Sequence, residues 1–229
     1  MNQKPTPAAY AELQQAFEHF NGRLFNGKLR DCLITLQRER RTYGYFSSRR
    51  FIHRSGEQTD EIAMNPSYFG IRSIRETLAT LVHEMVHAWQ SHNGKPGRRG
   101  YHNREWAAYM EAVGLMPSNT GEPGGRKVGE QMTHYIMPHG NFDVACADLL
   151  TREFQLSWLD RFPPERPRQD GGGEDMTGLI ELPPEIPANR SNRVKYRCAC
   201  CTAQVWGKPD LVILCGGEDC DKAAFKPIE

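Results

Sequence analysis

Apolar residues recur at helical spacing in three stretches of the chain. The strongest stretch runs from about Ser73 to Ser91, where one face carries Ile74, Leu78, Leu81, Val82, Met85, Val86 and Trp89. Weaker stretches predict helices at 10–26 and at about 103–113. Short runs rich in β-branched and aromatic residues predict strands at 33–36, 43–46, 51–52 and 61–64. The pattern therefore predicts an α+β domain.

The second half of the chain has a different composition. Residues 117–130 are rich in Gly, Pro and Ser and predict a loop, and residues 132–162 are apolar enough to pack. Residues 163–193 combine Pro, Gly and charge, which favours a linker because so little apolar surface cannot offset the entropy of ordering. We expect one domain at 8–162, including an extension at 117–162, and a second at 194–229.

The long predicted helix carries the motif His-Glu-X-X-His at residues 83–87. His83 and His87 are separated by about 40° around the helix, outside the apolar stripe and on its polar side. Two neutral imidazoles at this spacing can bind one Zn²⁺, while Glu84 beside them is free to accept a proton from a water molecule. The motif predicts a catalytic zinc site with Glu84 as general base.

A catalytic zinc needs a third protein ligand and one open position. His102 is the strongest candidate, because it precedes the second predicted helix after a loop long enough to fold back over the first. Glu105 and Glu111 are possible carboxylate ligands. His92 points back towards the apolar side and is a poor candidate.

Five of the seven cysteines lie between Cys198 and Cys220. Cys198 and Cys201 form one pair, and Cys215 and Cys220 form another after 13 intervening residues, an arrangement that predicts a structural zinc ribbon with four thiolate ligands. A strand at 205–206 and another at 211–214, turned at 208–210, would form its hairpin. Cys200 competes with Cys201 and is interpreted as a spare thiol. Such a tail is too small for a core of its own and needs the metal to fold. Cys32 and Cys146 stand alone in apolar settings and are predicted to be buried.

These residues together resemble the SprT-like (Spartan-type) zinc metalloprotease domain. The resemblance rests on Phe20-Asn21 with Leu24-Phe25, on Thr77-Leu78 leading into the motif at 83–88, on His102 fifteen residues after His87 with Trp106 following, and on the ribbon that begins at Lys195. It implies a minigluzincin-like fold, in which a small sheet packs on the motif helix. It also implies zinc ligation by His83, His87 and His102, with proteolysis as the activity. In the best-known branch of the family the substrates are proteins crosslinked to DNA. Residues 117–165 have no counterpart in this resemblance.

The distribution of charge indicates whether the protein could bind nucleic acid. The net charge is only +1, which excludes a globally basic nucleic-acid binder. Residues 38–54 nevertheless contain six arginines among aromatic residues, a combination that suits single-stranded DNA. The candidate contacts are Arg40, Arg41, Arg49, Arg50 and Tyr45, although a solvated hairpin face explains the same pattern.

The expectation is a cytoplasmic enzyme with two zinc ions per chain, one catalytic and one structural. Its substrate would be a protein or peptide, with single-stranded DNA or DNA-bound proteins as further partners. The chain shows no apolar run that would cross a membrane and no export signal. Two alternatives stay open: a nucleic-acid-associated adaptor with a vestigial site, and a metal hydrolase with a substrate other than peptide.

Overall fold

The computed structural model of the chain describes residues 4–39, 42–151, 154–164 and 194–228. These residues fall in two compact units, one within Met1–Leu182 and the other within Pro183–Glu229. The expected linker at 163–193 lies almost wholly outside the described residues, so the domain boundaries stay a prediction. Among the described helices, none has the length and apolar character needed to cross a membrane.

The first unit has the predicted α+β composition. Its described elements are α1 (Pro5–Leu24), β1 (Leu33–Leu36), β2 (Gly44–Ile52), β3 (Gln58–Met64), α2 (Ile74–Asn93), α3 (Arg104–Ala112), β4 (Leu115–Ser118), β5 (Thr133–Ile136) and α4 (Asn141–Leu150), with a short 3₁₀ helix at Pro66–Tyr68. The predicted helices at 10–26, 73–91 and 103–113 correspond to α1, α2 and α3.

A three-stranded sheet in the order β1-β3-β2 supports the long helix. Its central strand β3 runs parallel to β1 and antiparallel to β2. The two strands predicted at 43–46 and 51–52 are one continuous strand, β2, whose register shifts between Ser47 and Phe51. At this bulge Arg49 takes φ +50°, and its N–H donates to Asp60 Oδ1 at 2.7 Å. The Asp60 carboxylate thus stabilises the bulge between the two paired parts of β2.

Helix α2 begins at a capping box. The Ser73 hydroxyl accepts from the Glu76 N–H at 3.2 Å, and Glu76 Oε2 accepts from the Ser73 N–H at 2.8 Å, which satisfies two of the donors that a helix start leaves open. The helix packs on β2 and β3. On its polar side two motif residues are also buried: His83 is only 8% exposed and Glu84 6%. Other elements therefore cover this part of the polar side.

A hairpin contributes to this covering. Strand β4 ends at Ser118, inside the predicted loop at 117–130, and pairs antiparallel with β5, from Leu115 opposite Ile136 to Ser118 opposite Thr133. Strand β5 lies in the segment 132–162, which was expected to pack. Helix α4 then packs on α1, where Phe142 stacks on Phe20 with ring centroids 5.5 Å apart. Beyond α4, Phe154 and Leu156 are buried as expected, whereas Trp158 and Phe162 are exposed.

The second unit is a three-stranded sheet built on β6 (Val194–Cys198). It pairs antiparallel with β7 (Gln204–Gly207) on one side and with β8 (Phe225–Ile228) on the other. The strand predicted at 211–214 was wrong. Tyr196 accepts there from the Leu211 N–H at 3.3 Å and donates to Lys208 O at 2.7 Å. Next to β8 the segment forms only an isolated bridge, between Leu214 and Ala224.

Candidate metal centres

Three histidines come together beside α2. His83 and His87 stand one turn apart on this helix, and His102 lies just before α3. One nitrogen from each ring lies within 4.8 Å of the other two. The His87 and His102 Nε2 atoms are 3.1 Å apart. The structure therefore brings together all three residues that the sequence proposed as ligands.

Backbone pairing fixes the position of His102. Its N–H donates to Gly129 O at 2.8 Å, and the Gly129 N–H donates to His102 O at 3.1 Å. The same Gly129 carbonyl lies 3.2 Å from His102 Nδ1 and accepts from it. This bond leaves Nε2, the nitrogen near His87, without the proton and able to bind a cation.

The other candidates for the third ligand are engaged elsewhere. His92 Nε2 lies 2.5 Å from Asp60 Oδ2. Glu105 Oε2 accepts from Gln90 Nε2 at 2.7 Å and from the Lys95 N–H at 2.6 Å. Glu111 pairs with Lys127 at the surface at 2.9 Å. None of the three belongs to the histidine group.

A fourth histidine, which sequence reasoning did not select, contacts the group. His134 on β5 places Nδ1 3.1 Å from Nδ1 of His83, and the ring centroids are 5.2 Å apart. No spacing rule links positions 83 and 134, because the contact depends on how the β4–β5 hairpin folds over α2. A histidine that ligates a metal typically donates its second N–H to such a partner, which fixes its tautomer.

Trp106 on α3 forms the floor of the group. Its ring lies 4.3 Å from the His102 ring, 5.0 Å from that of His83 and 5.4 Å from that of His87, and it is fully buried. Its indole N–H has no acceptor among the described residues. A large apolar wall of this kind excludes water from one side of the three imidazoles.

The protonation of the histidines suits a metal. Burial lowers the pKa of His87 to about 3, with the neighbouring His102 adding to the effect. The pKa of His83 falls well below 6.5, first through burial and then through the other three rings. Both imidazoles are neutral at pH 7 and offer lone pairs. Two nitrogens bound to one tetrahedral zinc would lie about 3.3 Å apart, close to the observed His87–His102 separation. The donor set fits zinc.

Glu84 lies between His83 and His87 in the sequence, but its side chain contacts strand β2. It faces β2, where a Cβ added at Gly44 would lie 3.5 Å from Glu84 Cγ. Burial raises its pKa to about 8, and a hydrogen bond from the Phe46 backbone partly opposes the shift. A carboxyl group with this pKa can take up and release a proton near neutral pH.

The second centre consists of four cysteines. One sulfur each from Cys198, Cys201, Cys215 and Cys220 lies within 4.8 Å of the others. Cys201 Sγ and Cys215 Sγ are 3.6 Å apart, against about 3.8 Å for two sulfurs on one tetrahedral zinc. Backbone bonds from Cys201 and Cys200 lower the pKa of Cys198 to about 7. Four donors leave no open position, as in a structural site.

Cys200 and Cys146 are placed as expected, whereas Cys32 is less buried than predicted. Cys200 stands outside the group, with its thiol 3.5 Å from Asp219 O. Cys146 is buried and Cys32 half-buried, and burial raises their pKa to about 11 and about 12.

The predicted nucleic-acid residues are only partly described. Arg49 and Arg50 lie exposed on β2, and Arg50 faces Glu61 with a nitrogen–oxygen distance of 3.8 Å. Tyr45 is half-buried beside the same glutamate, and burial raises its pKa. Arg40 and Arg41 lie outside the described residues. A DNA-binding role stays a prediction.

Residues 13–126, which include all of the motif histidines, Glu84 and His102, match the SprT-like family. The chain belongs to the SprT-like family. An uncharacterized protein encoded in the mucB 3' region of Salmonella typhimurium is 59% identical over 59 residues, which make up 25% of this chain and 80% of that protein. No solved structure matches this SprT-like chain. The family match ends before His134, so this histidine comes from the part of the site that lies beyond it.

Proposed function

We propose that this SprT-like protein is a zinc-dependent metallopeptidase. One observation carries the proposal: three imidazoles converge on one point, and the helix that carries His83 and His87 also carries the buried Glu84. When bound by His83, His87 and His102, zinc supplies Lewis-acid activation of a water molecule and of the scissile carbonyl. Residues of the chain would supply the general base and bind the peptide.

Glu84 is the proposed general base. Its buried carboxyl, with a pKa of about 8, would hold a proton taken from water and deliver it to the leaving amine. The contact with β2 fixes its position, since Phe46 binds it from the strand. A glutamate so placed does not need to ligate the metal, because the three histidines already supply the protein ligands.

Strand β2 is the proposed peptide-binding edge. It pairs with β3 on one side only in the described sheet, and its first residues lie against Glu84. An extended peptide can add to such an edge through main-chain hydrogen bonds, which are independent of the side chains of the peptide. The substrate would therefore be an unfolded or extended segment of protein.

The function is tested by casein cleavage with the full zinc-loaded chain and the Glu84→Gln variant. We expect the variant to keep its zinc and to lose cleavage by at least about 100-fold, as expected for loss of a general base. Glu57→Gln, which removes an exposed acid in the β2–β3 turn, is the matched control and should cleave normally. Undiminished cleavage by Glu84→Gln would exclude the proposed mechanism. Absence of cleavage by the wild type would favour the adaptor or a different hydrolase.

We also propose that the second zinc, on the four cysteines, is structural and that the protein works in the cytoplasm. The four thiolates would replace the core that so short a segment lacks, and a reducing compartment would keep them available. Metal analysis of the full chain should give two zinc ions. A value near one would exclude one of the two centres.

DNA-associated proteins are the substrate class that we propose. The support is the family resemblance together with the exposed Arg49 and Arg50 on the strand that borders the site. Single-stranded DNA binding is measured by fluorescence anisotropy for the wild type and for a variant with both arginines changed to Ala. We expect weaker binding and a smaller salt dependence. A control with Arg23 and Lys28 changed, on α1 and just beyond it, should bind as the wild type. Equal loss in both variants would contradict a specific surface.

A further inference from the structure

Arg72 is a half-buried cation beside the site. It lies immediately before Ser73, the N-cap of α2, and its Nη1 donates to Thr80 Oγ1 at 2.9 Å. Its Cζ stands 4.0 Å from the ring centroid of Tyr43. Within the described parts of the chain, no carboxylate comes within 4.0 Å of the guanidinium, and Thr80 is its only side-chain hydrogen-bond partner. Four of its five N–H donors therefore remain available.

The nearest acid does not neutralise this charge. Glu76 acts on Arg72 from a distance, but its Oε2 is already bound to the N–H and hydroxyl of Ser73. Burial outweighs the attraction of Glu76 and lowers the pKa of Arg72 below its usual value. A half-buried guanidinium that no carboxylate pairs, and whose donors are mostly unused, suits an anion carried by a ligand.

The position of Arg72 indicates which ligand. Thr80 precedes Glu84 by four residues, one helical turn or about 6 Å. Tyr43, which covers the guanidinium, directly precedes the edge strand β2 and is 43% exposed. After burial, the Arg72 charge is the next cause of the lowered pKa of His134, which places it within electrostatic range of the histidine group. The cation thus lies close to Glu84, to the histidine group and to the strand that is proposed to bind the peptide.

We propose that Arg72, covered by Tyr43, is a subsite that binds a carboxylate of the peptide substrate. The proposal rests on the proposed peptidase function and defines its substrate class. A guanidinium fork binds a carboxylate through two parallel hydrogen bonds, and its free donors match that need. An extended chain advances about 3.3 Å per residue, so the acidic group would lie within a few residues of the scissile bond. The carboxylate is either an acidic side chain or the C-terminus of the peptide.

The subsite is tested with pairs of peptides that differ only by Glu or Gln at one position, scanned on both sides of the cleaved bond. We expect the wild type to prefer Glu at one position by about 10–100-fold in kcat/KM, the range for hydrogen bonds to a charged group. Arg72→Gln should remove the preference through KM while cleaving the Gln peptide within about threefold of the wild type. Peptides with a free and an amidated C-terminus form a second arm, which distinguishes a terminal carboxylate from a side chain.

Arg75→Gln is the matched control. Arg75 lies in the first turn of α2, but its guanidinium is already bound to Asp143, so the preference for Glu should survive. If Arg72→Gln does not fold, Arg72→Lys keeps the charge without the fork and should retain a reduced preference. A wild type with equal rates on every pair would overturn the subsite. So would an Arg72→Gln variant that slows both members of each pair equally, since that result describes a purely structural arginine.

A binding measurement separates this proposal from the peptidase function. The zinc-loaded Glu84→Gln protein, with and without Arg72→Gln, is titrated with fluorescent Glu and Gln peptides. Tighter binding of the Glu peptide that depends on Arg72 would support the subsite even if no cleavage were detected. Equal binding of the two peptides would overturn it even if the wild type proved to be an active peptidase.

Discussion

His83 Nδ1 lies 3.1 Å from His134 Nδ1, although 51 residues separate the two histidines. One belongs to the central helix α2, and the other belongs to a hairpin that closes over it. If His83 binds a metal through its other nitrogen, its Nδ1–H donates to His134 and the tautomer of both rings is fixed. The hairpin would then support the proposed metal centre through His134.

Removal of His134 should weaken the metal site without removing a ligand. His134→Ala leaves the Nδ1–H of His83 without its partner, and losses of this kind lower metal affinity by about 10–100-fold. Zinc affinity is measured by competition with a chromogenic chelator. His53→Ala, an exposed histidine that contacts only Ser55 in the β2–β3 turn, should leave the affinity unchanged. Equal affinity of His134→Ala and the wild type would contradict the proposed contact.

Glu84 should destabilise the zinc-free protein at alkaline pH. Its pKa rises from 4.5 to about 8 on folding, so the folded state binds more protons than the unfolded state between these values. Stability is then lost as pH rises through that window. Glu84→Gln, which mimics the protonated form, should raise the Tm of the zinc-free protein at pH 8 and have little effect near pH 4.5. A difference in Tm that is the same at both pH values would contradict a raised pKa.

The buried histidines should have the opposite effect. Burial lowers the pKa of His87 and of His134 from 6.5 to about 3, so the unfolded state binds more protons in this range. Stability of the zinc-free protein must fall as pH decreases from about 6.5 towards 3. The effect is measured by urea unfolding in the Glu84→Gln background, where the carboxyl no longer contributes. The slope of the free energy of unfolding against pH gives the number of protons taken up on unfolding. Adding His134→Phe should reduce this number by about one, whereas adding His53→Phe should leave it unchanged.

The sequence predicted the parts of this site that depend on short spacing. His83, Glu84 and His87 follow from one helical turn, and His102 follows from a loop of suitable length. His134 and Arg72 could not be predicted in this way, because each contact depends on where a separate segment folds back on α2. The same reason explains why the burial of His83 and Glu84 could not be predicted: a helical wheel assigns residues to a face, but it does not say that a distant hairpin covers that face. In the ribbon, the cysteine spacing predicted the cluster, whereas the strand predicted at 211–214 is only an isolated bridge between Leu214 and Ala224.

The approach of β2 to α2 should depend on the absence of a side chain at Gly44. A Cβ there would lie 2.9 Å from Ala63 O and 3.2 Å from Thr80 Cγ2, so Gly44→Ala must push the strand away from the helix. We expect a loss of about 1–3 kcal/mol in the free energy of unfolding, the usual cost of overpacking. Urea denaturation of the zinc-loaded protein measures it.

The control for Gly44 is the same substitution in open space. Gly22 lies on α1 with no atom near its potential Cβ, and Gly22→Ala should stabilise the helix by about 0.5–1 kcal/mol. The two substitutions are therefore expected to have opposite signs. Destabilisation of similar size in both would mean that the contact at Gly44 is not the cause.

Adjacent cysteines in the ribbon should differ completely in their effect on metal content. Cys201 Sγ lies in the four-sulfur group, 3.6 Å from Cys215 Sγ, whereas the Cys200 thiol lies outside it. Cys201→Ser should lose one of the two zinc ions and unfold the ribbon, because the metal supplies its folding free energy. Cys200→Ser should keep both ions. Metal analysis measures the zinc content, and near-UV circular dichroism of Trp206 reports whether the ribbon is folded. Casein cleavage by Cys201→Ser reports whether the histidine centre is intact. Retention of both zinc ions by Cys201→Ser, with their loss in Cys200→Ser, would exchange the assignment of the two thiols.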